Sequence, residues 1–329
     1  MHGASRRASR SLGLALGILL ISSVPARGHD PAATLEATAP EVPPATTGSP
    51  ASLLEADRDL AAAASKDGLR SVLVARAIGY AIVLAPEPVG LHPWLREHEP
   101  PFDHRTWVTE EVEVSSSGML GYTLSRWSAI AAAPAGAAAT DEPAVFGRQI
   151  VVWRFHPMTG WKVLLYAAIE QPDALGAPDS VQARTLPPLH GAHVGTHDEA
   201  HTESVGIQEF DRALNDVVAR EGWHAALAAH LTEDALWLRE GTATVRGREA
   251  VVATLSASPC GCQCTTVGAR AADSTDLGYT YGKCVADSAA TGGAAQPGTS
   301  WVRVLRRDAE GVRRIAVVLE LPIPLAPEK

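Results

Sequence analysis

Two spacings of apolar residues alternate along this chain, and the same alternation occurs twice. From Ser52 to about Ser65 apolar positions recur at helical intervals, with Ser52 and Glu55 placed as a capping box and Gly68 as the stop. A second helix is predicted from Leu69 to about Ala77, then a short strand, Ala81–Leu84. Pro86 to Pro101 is proline-rich and reads as irregular, with one helical turn at Trp94-Leu95-Arg96. From Thr106 the spacing shortens to two, predicting strands over Trp107–Ser115, Leu120–Ile130, Arg148–Phe155 and Lys162–Ile169. Ser116-Ser117-Gly118 and Met158-Thr159-Gly160 supply hairpin turns. Later in the chain the plan returns: helices near Val205–Arg220, Trp223–Leu231 and Gly247–Leu255, then strands near Cys264–Ala272, Leu277–Asp287, Thr299–Arg307 and Arg313–Leu321.

The repetition extends to residues. Leu54-Glu55-Ala56-Asp57-Arg58-Asp59-Leu60 returns as Gln208-Glu209-Phe210-Asp211-Arg212-Ala213-Leu214, offset 154 (209 minus 55). Leu120-Gly121-Tyr122-Thr123 returns as Leu277-Gly278-Tyr279-Thr280, offset 157 (278 minus 121). A drifting offset with conserved order means two copies of one domain that differ in loop length. Helices before strands in each copy is the α+β pattern. The chain therefore divides into domain one at 51–174, a His-rich linker at 175–204 and domain two at 205–326.

Ahead of domain one, Arg6, Arg7 and Arg10 precede an apolar run from Leu12 to Ile21 and a small-residue end at Val24-Pro25-Ala26. This is the order of a secretory signal, 1–26, with too short an apolar core for a stable membrane anchor. A disordered Ala/Pro/Thr-rich tether, 27–50, follows. Export to the periplasm or medium is the expected destination. Removing the leader takes away three arginines and no acid, so the formal charge of −9 becomes −12. That balance disfavours nucleic acid, and no apolar run outside the leader suits a membrane-embedded role.

Leu231-Thr232-Glu233-Asp234-Ala235-Leu236-Trp237-Leu238 with Val245-Arg246-Gly247-Arg248, and in domain one Leu120-Gly121-Tyr122-Thr123 with Trp161-Lys162-Val163, resemble the nuclear transport factor 2-like superfamily. The nearest subgroup is the domains of unknown function related to SnoaL-type polyketide cyclases and ketosteroid isomerases. The resemblance implies two tandem cone-shaped domains, each with N-terminal helices packed in a curved antiparallel sheet. It also implies a general-base Asp five residues beyond Asp234, but that position is Arg239, with Glu240 beside it, and the matching stretch of domain one ends Leu84-Ala85-Pro86. An acid that many relatives carry on the last strand is here Tyr166. Tandem domains of this kind pair through their sheets, which implies a monomer with an intramolecular pseudo-dimer that buries strand residues such as Val151 or Arg303.

Cys260, Cys262, Cys264 and Cys284 all lie in domain two. In an exported chain they read as disulfides, with free thiols and a zinc site as alternatives. At offset 157, Cys264 and Cys284 correspond to Trp107 and Trp127 and flank the same hairpin, so a bridge between them is predicted if their Cα separation falls within about 4.4–6.8 Å. His190, His193, His197 and His201 are candidate metal ligands, set against a solvated linker. Asp57, Arg58, Asp211 and Arg212 read as caps or interhelical salt bridges. The interior of each cone is the default ligand site, with Trp107, Tyr122, Trp153, Tyr166, Trp237, Tyr279 and Tyr281 as candidate lining and Trp127 beside them. Strand alternation means that not all of these can point inward. No nucleotide-binding glycine loop or Gly-x-Ser-x-Gly elbow is present, and no cofactor is implied. Two functions remain: a binder of a small apolar molecule or protein partner without strong catalysis, or an isomerase, cyclase or dehydratase for a polyketide-like or steroid-like substrate. The second would use Glu240, His230 or Tyr279 as its acid or base.

Overall fold

The computed structural model describes residues 47–130, 145–172, 180–189, 197–256, 262–286 and 297–325. The leader, the tether up to residue 46, His190, His193 and Cys260 lie outside them. Helix α1 (Pro50–Asp67) is capped one turn earlier than the Ser52 and Glu55 box predicts. Ser49 is the N-cap: its hydroxyl accepts from the Ser52 N–H at 3.2 Å, and the Ser52 hydroxyl accepts the Ser49 N–H at 2.9 Å. Pro50 decides this, because a residue without an N–H suits the first helical position. Gly68, at φ 85°, ends α1, and α2 (Leu69–Arg76) follows. Strand β1 (Ala77–Leu84) starts earlier than its apolar run. Much of the proline-rich stretch expected to be irregular is ordered as β2 (Pro88–Gly90) and α3 (Leu91–Glu97). The meander is β3 (Arg105–Val114), β4 (Leu120–Ala129), β5 (Val145–His156) and β6 (Gly160–Gln171).

The stretch read as a linker holds structure at both ends. Strand β7 (Gln182–Thr185) runs parallel to β3, and α4 (His197–Leu227) begins before Val205, continuing to a break at Gly222 (φ 87°). Domain two continues with β8 (Leu231–Arg239), β9 (Val245–Arg246), α5 (Arg248–Ser256), β10 (Cys262–Ala271), β11 (Leu277–Ala286), β12 (Gly298–Arg307) and β13 (Arg313–Ile323). The strand orders are β2-β1-β6-β5-β4-β3-β7 and β10-β11-β12-β13-β8-β9. The meanders pair antiparallel, while β1 joins β6 and β8 joins β13 in parallel, so both sheets are mixed.

Each sheet has helices on one face and the other sheet on its second face. On β4, Leu120, Tyr122 and Leu124 face the second sheet, whereas Trp127 packs under the helices with Leu53 and Leu60 of α1. The Leu-Gly-Tyr-Thr motif recurs because each of its last three positions has a fixed task. A Cβ on Gly121 would stand 2.6 Å from Leu53 Cδ2, and one on Gly278 would stand 2.4 Å from Ile207 Cδ1, so glycine lets the first helix lie directly on the strand. The tyrosine enters the layer between the sheets, and the threonine turns back towards the helix.

Contacts between the sheets are apolar at the centre, with Ile150 and Val152 against Val302 and Val304, and ionic at one side. There Arg306 of β12 donates to Glu113 of β3 at 2.5 Å and to the Tyr122 hydroxyl at 3.0 Å. Arg184 of β7 joins Glu113 to Asp234. Val151 and Arg303 are buried, but not by this contact as expected. They occupy the alternate positions of β5 and β12 and face the helices, since a one-residue step along a strand reverses the face.

Candidate functional site

Asp57 and Asp211, read as caps or interhelical salt bridges, are instead fully buried hubs that bind strand residues inside their domains. Asp57 accepts from Thr123 (2.9 Å), Thr109 (2.7 Å), Ser125 (3.2 Å) and the Trp107 indole (3.2 Å). Burial pushes its carboxyl above the usual range, and these four donors pull against that shift. Asp211 accepts from Thr280 (3.1 Å), Thr266 (2.5 Å) and Arg303 (2.6 Å). The sequence signal was available: Thr109 and Thr266, like Thr123 and Thr280, are themselves 157 apart (266 minus 109, 280 minus 123).

A cavity of about 340 Å³ opens in domain one between α2, α3, the end of β1 and the helix-facing side of β6. Leu73, Leu91, Trp94, Leu95, Trp127 and Ala168 supply much of its apolar wall. Its polar floor is Arg105 and Tyr166. Arg105 donates to the Tyr166 hydroxyl at 3.1 Å and to the Phe102 carbonyl at 3.1 Å, also reaches the Pro101 carbonyl, and lies 4.5 Å over the Trp127 ring. Tyr166 in turn donates to Gln149 Oε1 at 3.1 Å, while Gln149 Nε2 is buried without a partner among the described residues. Burial raises the Tyr166 phenol above its ordinary value, with Arg105 opposing.

Glu240 lies at the mouth of this cavity, which corrects its expected place. It follows β8 of domain two, yet its Oε2 accepts the Glu170 N–H of domain one at 3.0 Å, and it lines the cavity of domain one. Burial raises its carboxyl; the Glu170 N–H opposes this and the Glu170 charge adds to it. The other two acid-base candidates are elsewhere. His230 closes the α4 to β8 turn, edge-on to Phe210, and burial, with Arg314 nearby, lowers its pKa. Tyr279 is sealed between the sheets, where burial raises its phenol strongly.

Of the proposed aromatic lining, Tyr166 lines the cavity, and Trp107 and Trp153 sit deeper in the same core. Trp237 packs in the core of domain two, edge-on to Trp223. Tyr122 and Tyr279 belong to the layer between the sheets and Tyr281 packs against it, because they occupy alternate positions on their strands. His197 opens α4, and His201 stands exposed on it.

In domain two, Cys264 and Cys284 are bonded, as predicted, at paired positions of β10 and β11 where domain one pairs Trp107 with Trp127. Their Cα atoms are 3.9 Å apart, closer than the expected separation of about 4.4–6.8 Å, because the two residues are directly opposite on adjacent strands. Cys262 is also disulfide-bonded, so none of the described sulfurs offers the thiolate that a zinc site needs.

No protein-family model matches the chain, and no curated protein does. Solved structures similar to part of it include a ketosteroid isomerase-like protein from Erwinia carotovora atroseptica (14% identity, 40% of this chain and 100% of that one, TM-score 0.32). Others are an NTF2-like protein of unknown function from Pseudomonas putida (14%, 36% and 86%, 0.30) and an NTF2-like protein with a cystatin-like fold from Novosphingobium aromaticivorans (18%, 39% and 85%, 0.30).

The register of β12 and β13 against β11 aligns the two interiors residue by residue. Gln149, Val151, Tyr166 and Ala168 of domain one correspond to Trp301, Arg303, Val318 and Glu320 of domain two. Three of the four replacements are larger than what they replace. Arg303 fills the space beside Asp211, packed 3.9 Å over the Trp301 ring and 5.2 Å over that of Trp223.

Proposed function

We propose that this is an exported protein that holds a small, largely apolar molecule in the cavity of domain one, with domain two as its structural partner. One observation carries the reading: the two halves share a plan, but where Tyr166 and Ala168 line the cavity of domain one, domain two carries Val318 and Glu320, with Trp301 and Arg303 replacing Gln149 and Val151 beside them on the neighbouring strand. A cavity of about 340 Å³ with an apolar wall and a polar Arg105 and Tyr166 floor has the make-up of a small-molecule site. The Cys264–Cys284 bridge fits an oxidising compartment, and no described helix is long and apolar enough to cross a membrane.

The test uses the neutral fluorophore N-phenyl-1-naphthylamine. Saturable enhancement is expected with the full chain and is expected to vanish in Ala168→Trp, which fills the cavity. No saturable signal, or an unchanged signal in Ala168→Trp, overturns the reading.

A second reading, catalysis of an isomerase, cyclase or dehydratase type, draws on the position of Glu240. A carboxyl with raised proton affinity at the mouth and a phenol at the floor form an acid and base pair around one cavity. Deuterium exchange into a cyclic enone, lost in Glu240→Gln while fluorophore binding persists, would support this reading. Exchange that Glu240→Gln leaves unchanged would remove it.

A further inference from the structure

A second pocket, of about 360 Å³, lies near the other end of the first sheet, lined by Ala77, Ile78, Tyr80, Arg154, Phe155, His156, Thr159 and Lys162. Its counterpart in domain two is a closed ionic cluster, and comparing the two residue by residue shows what differs. Arg154 pairs with Lys162 across β5 and β6, as Arg306 pairs with Arg314 across β12 and β13. Both cations are therefore kept in both domains.

Their carboxylate partners are not. Arg306 is neutralised by Glu113 and Asp234, and Arg314 by Asp308 at 3.0 Å. The registers of β1 on β6 and β8 on β13 contain the same bulge and place Tyr80 where domain two has Asp234. His156 stands in the place of Asp308. Glu113, opposite Tyr122 on β3, corresponds to Arg270, opposite Tyr279 on β10. Three carboxylates have thus become a phenol, an imidazole and a guanidinium.

The result is a cation-rich groove in an acidic chain. Arg154 has only Asp273, at 3.5 Å, as an ion-pair partner among the described residues. Lys162 has none among them. Arg270 has its guanidinium 4.5 Å over the Tyr80 ring, which is half exposed. His156 Nδ1 accepts the Met158 N–H at 3.2 Å.

We infer that the groove where Arg154 and Lys162 meet Tyr80 and His156 binds a small dicarboxylate, whose two carboxylates pair with Arg154 and Lys162 as Asp234 and Asp308 pair with Arg306 and Arg314 in domain two. The Arg154 fork suits one carboxylate, the Lys162 ammonium the other, and the Tyr80 ring with Arg270 behind it forms a wall. The site is separate from the cavity above Tyr166 and does not depend on what that cavity holds.

The experiment titrates succinate into the full chain at low ionic strength, by calorimetry and by amide chemical shifts, with inorganic phosphate in parallel. Saturable succinate binding is expected, with shifts at Ala77–Tyr80, Arg154–Thr159 and Lys162. Tyr80→Asp restores the internal carboxylate of domain two and should weaken succinate by about tenfold or more while keeping or raising the melting temperature. Arg154→Gln should weaken it to a similar degree, and Lys66→Gln, at the end of α1, should not. Absence of saturable binding, shifts mapping to another surface, or unchanged affinity in both groove variants overturns the inference. Phosphate binding as tight as succinate overturns the assignment to a dicarboxylate.

Discussion

Arg303 donates to the Asp211 carboxylate at 2.6 Å, and neither side chain is exposed to solvent. The aligned position in domain one is Val151, an apolar residue opposite Thr123, which itself donates to Asp57. An ion pair removed from water is costly to break from one side, because the surviving charge keeps its desolvation penalty and loses its partner. Asp211→Ala is expected to destabilise by about 3–5 kcal/mol. Asp211→Ala with Arg303→Met should cost less than that single change. Urea unfolding of the single and double variants measures both.

Glu320 gives domain two a dependence on pH. Burial raises its carboxyl from 4.5 to about 7, with Arg239 and Arg303 opposing. A raised folded pKa means that the folded state holds its proton more tightly. The contribution is therefore complete below about pH 4.5, declines as pH rises and is gone above about pH 7. The shift corresponds to about 3 kcal/mol across that window. Glu320→Gln should flatten this part of the stability profile and leave the variant more stable than the parent at pH 8. Unfolding titrations from pH 4 to pH 8 provide the comparison.

The Cys264–Cys284 bridge closes a separation of 20 residues. By the chain-entropy relation, its removal as Cys264→Ala with Cys284→Ala is expected to cost about 3 kcal/mol. Because the strands keep their register through β11 and β12, the variant should retain its secondary structure. Circular dichroism and melting, each with and without reductant, measure the two effects.

Glu113 is almost fully buried, and two arginines, Arg184 and Arg306, converge on it from outside its own strand. Burial raises its carboxyl, and both guanidiniums oppose that shift. Glu113→Ala strands those cations at the contact between the sheets and is expected to increase amide exchange along β3 and β12 more than within α1 or α4. The parent should scatter as one compact monomer, with its own two sheets already facing each other. A concentration-dependent dimer would contradict this.

What local patterning determines was legible in the sequence. The paired offsets disclosed two copies, the change of apolar spacing from helical to alternate placed the meanders, and the equivalence of Cys264 and Cys284 with Trp107 and Trp127 disclosed the disulfide. Each of these depends on neighbouring residues along a strand or helix, or on a repeat that is itself a sequence property. Where a neighbouring residue changes the local chemistry the reading moved with it, as when Pro50 shifted the cap from Ser52 to Ser49.

The tertiary structure alone decided what each side chain faces. Tyr122 and Thr123 are adjacent in sequence, yet one enters the layer between the sheets and the other binds Asp57, because alternate residues of a strand point to opposite faces. Glu240 lines the cavity of the other domain, since only the docking of the two sheets brings the end of β8 against β6. The groove beside Tyr80 depends on tertiary structure in the same way: the bulge in β1 places Tyr80 where domain two has Asp234, so Arg154 and Lys162 lack the carboxylates that Arg306 and Arg314 possess. Sequence spacing fixes periodicity, but the distances that turn residues into a site depend on strand register and on the packing of one layer against another.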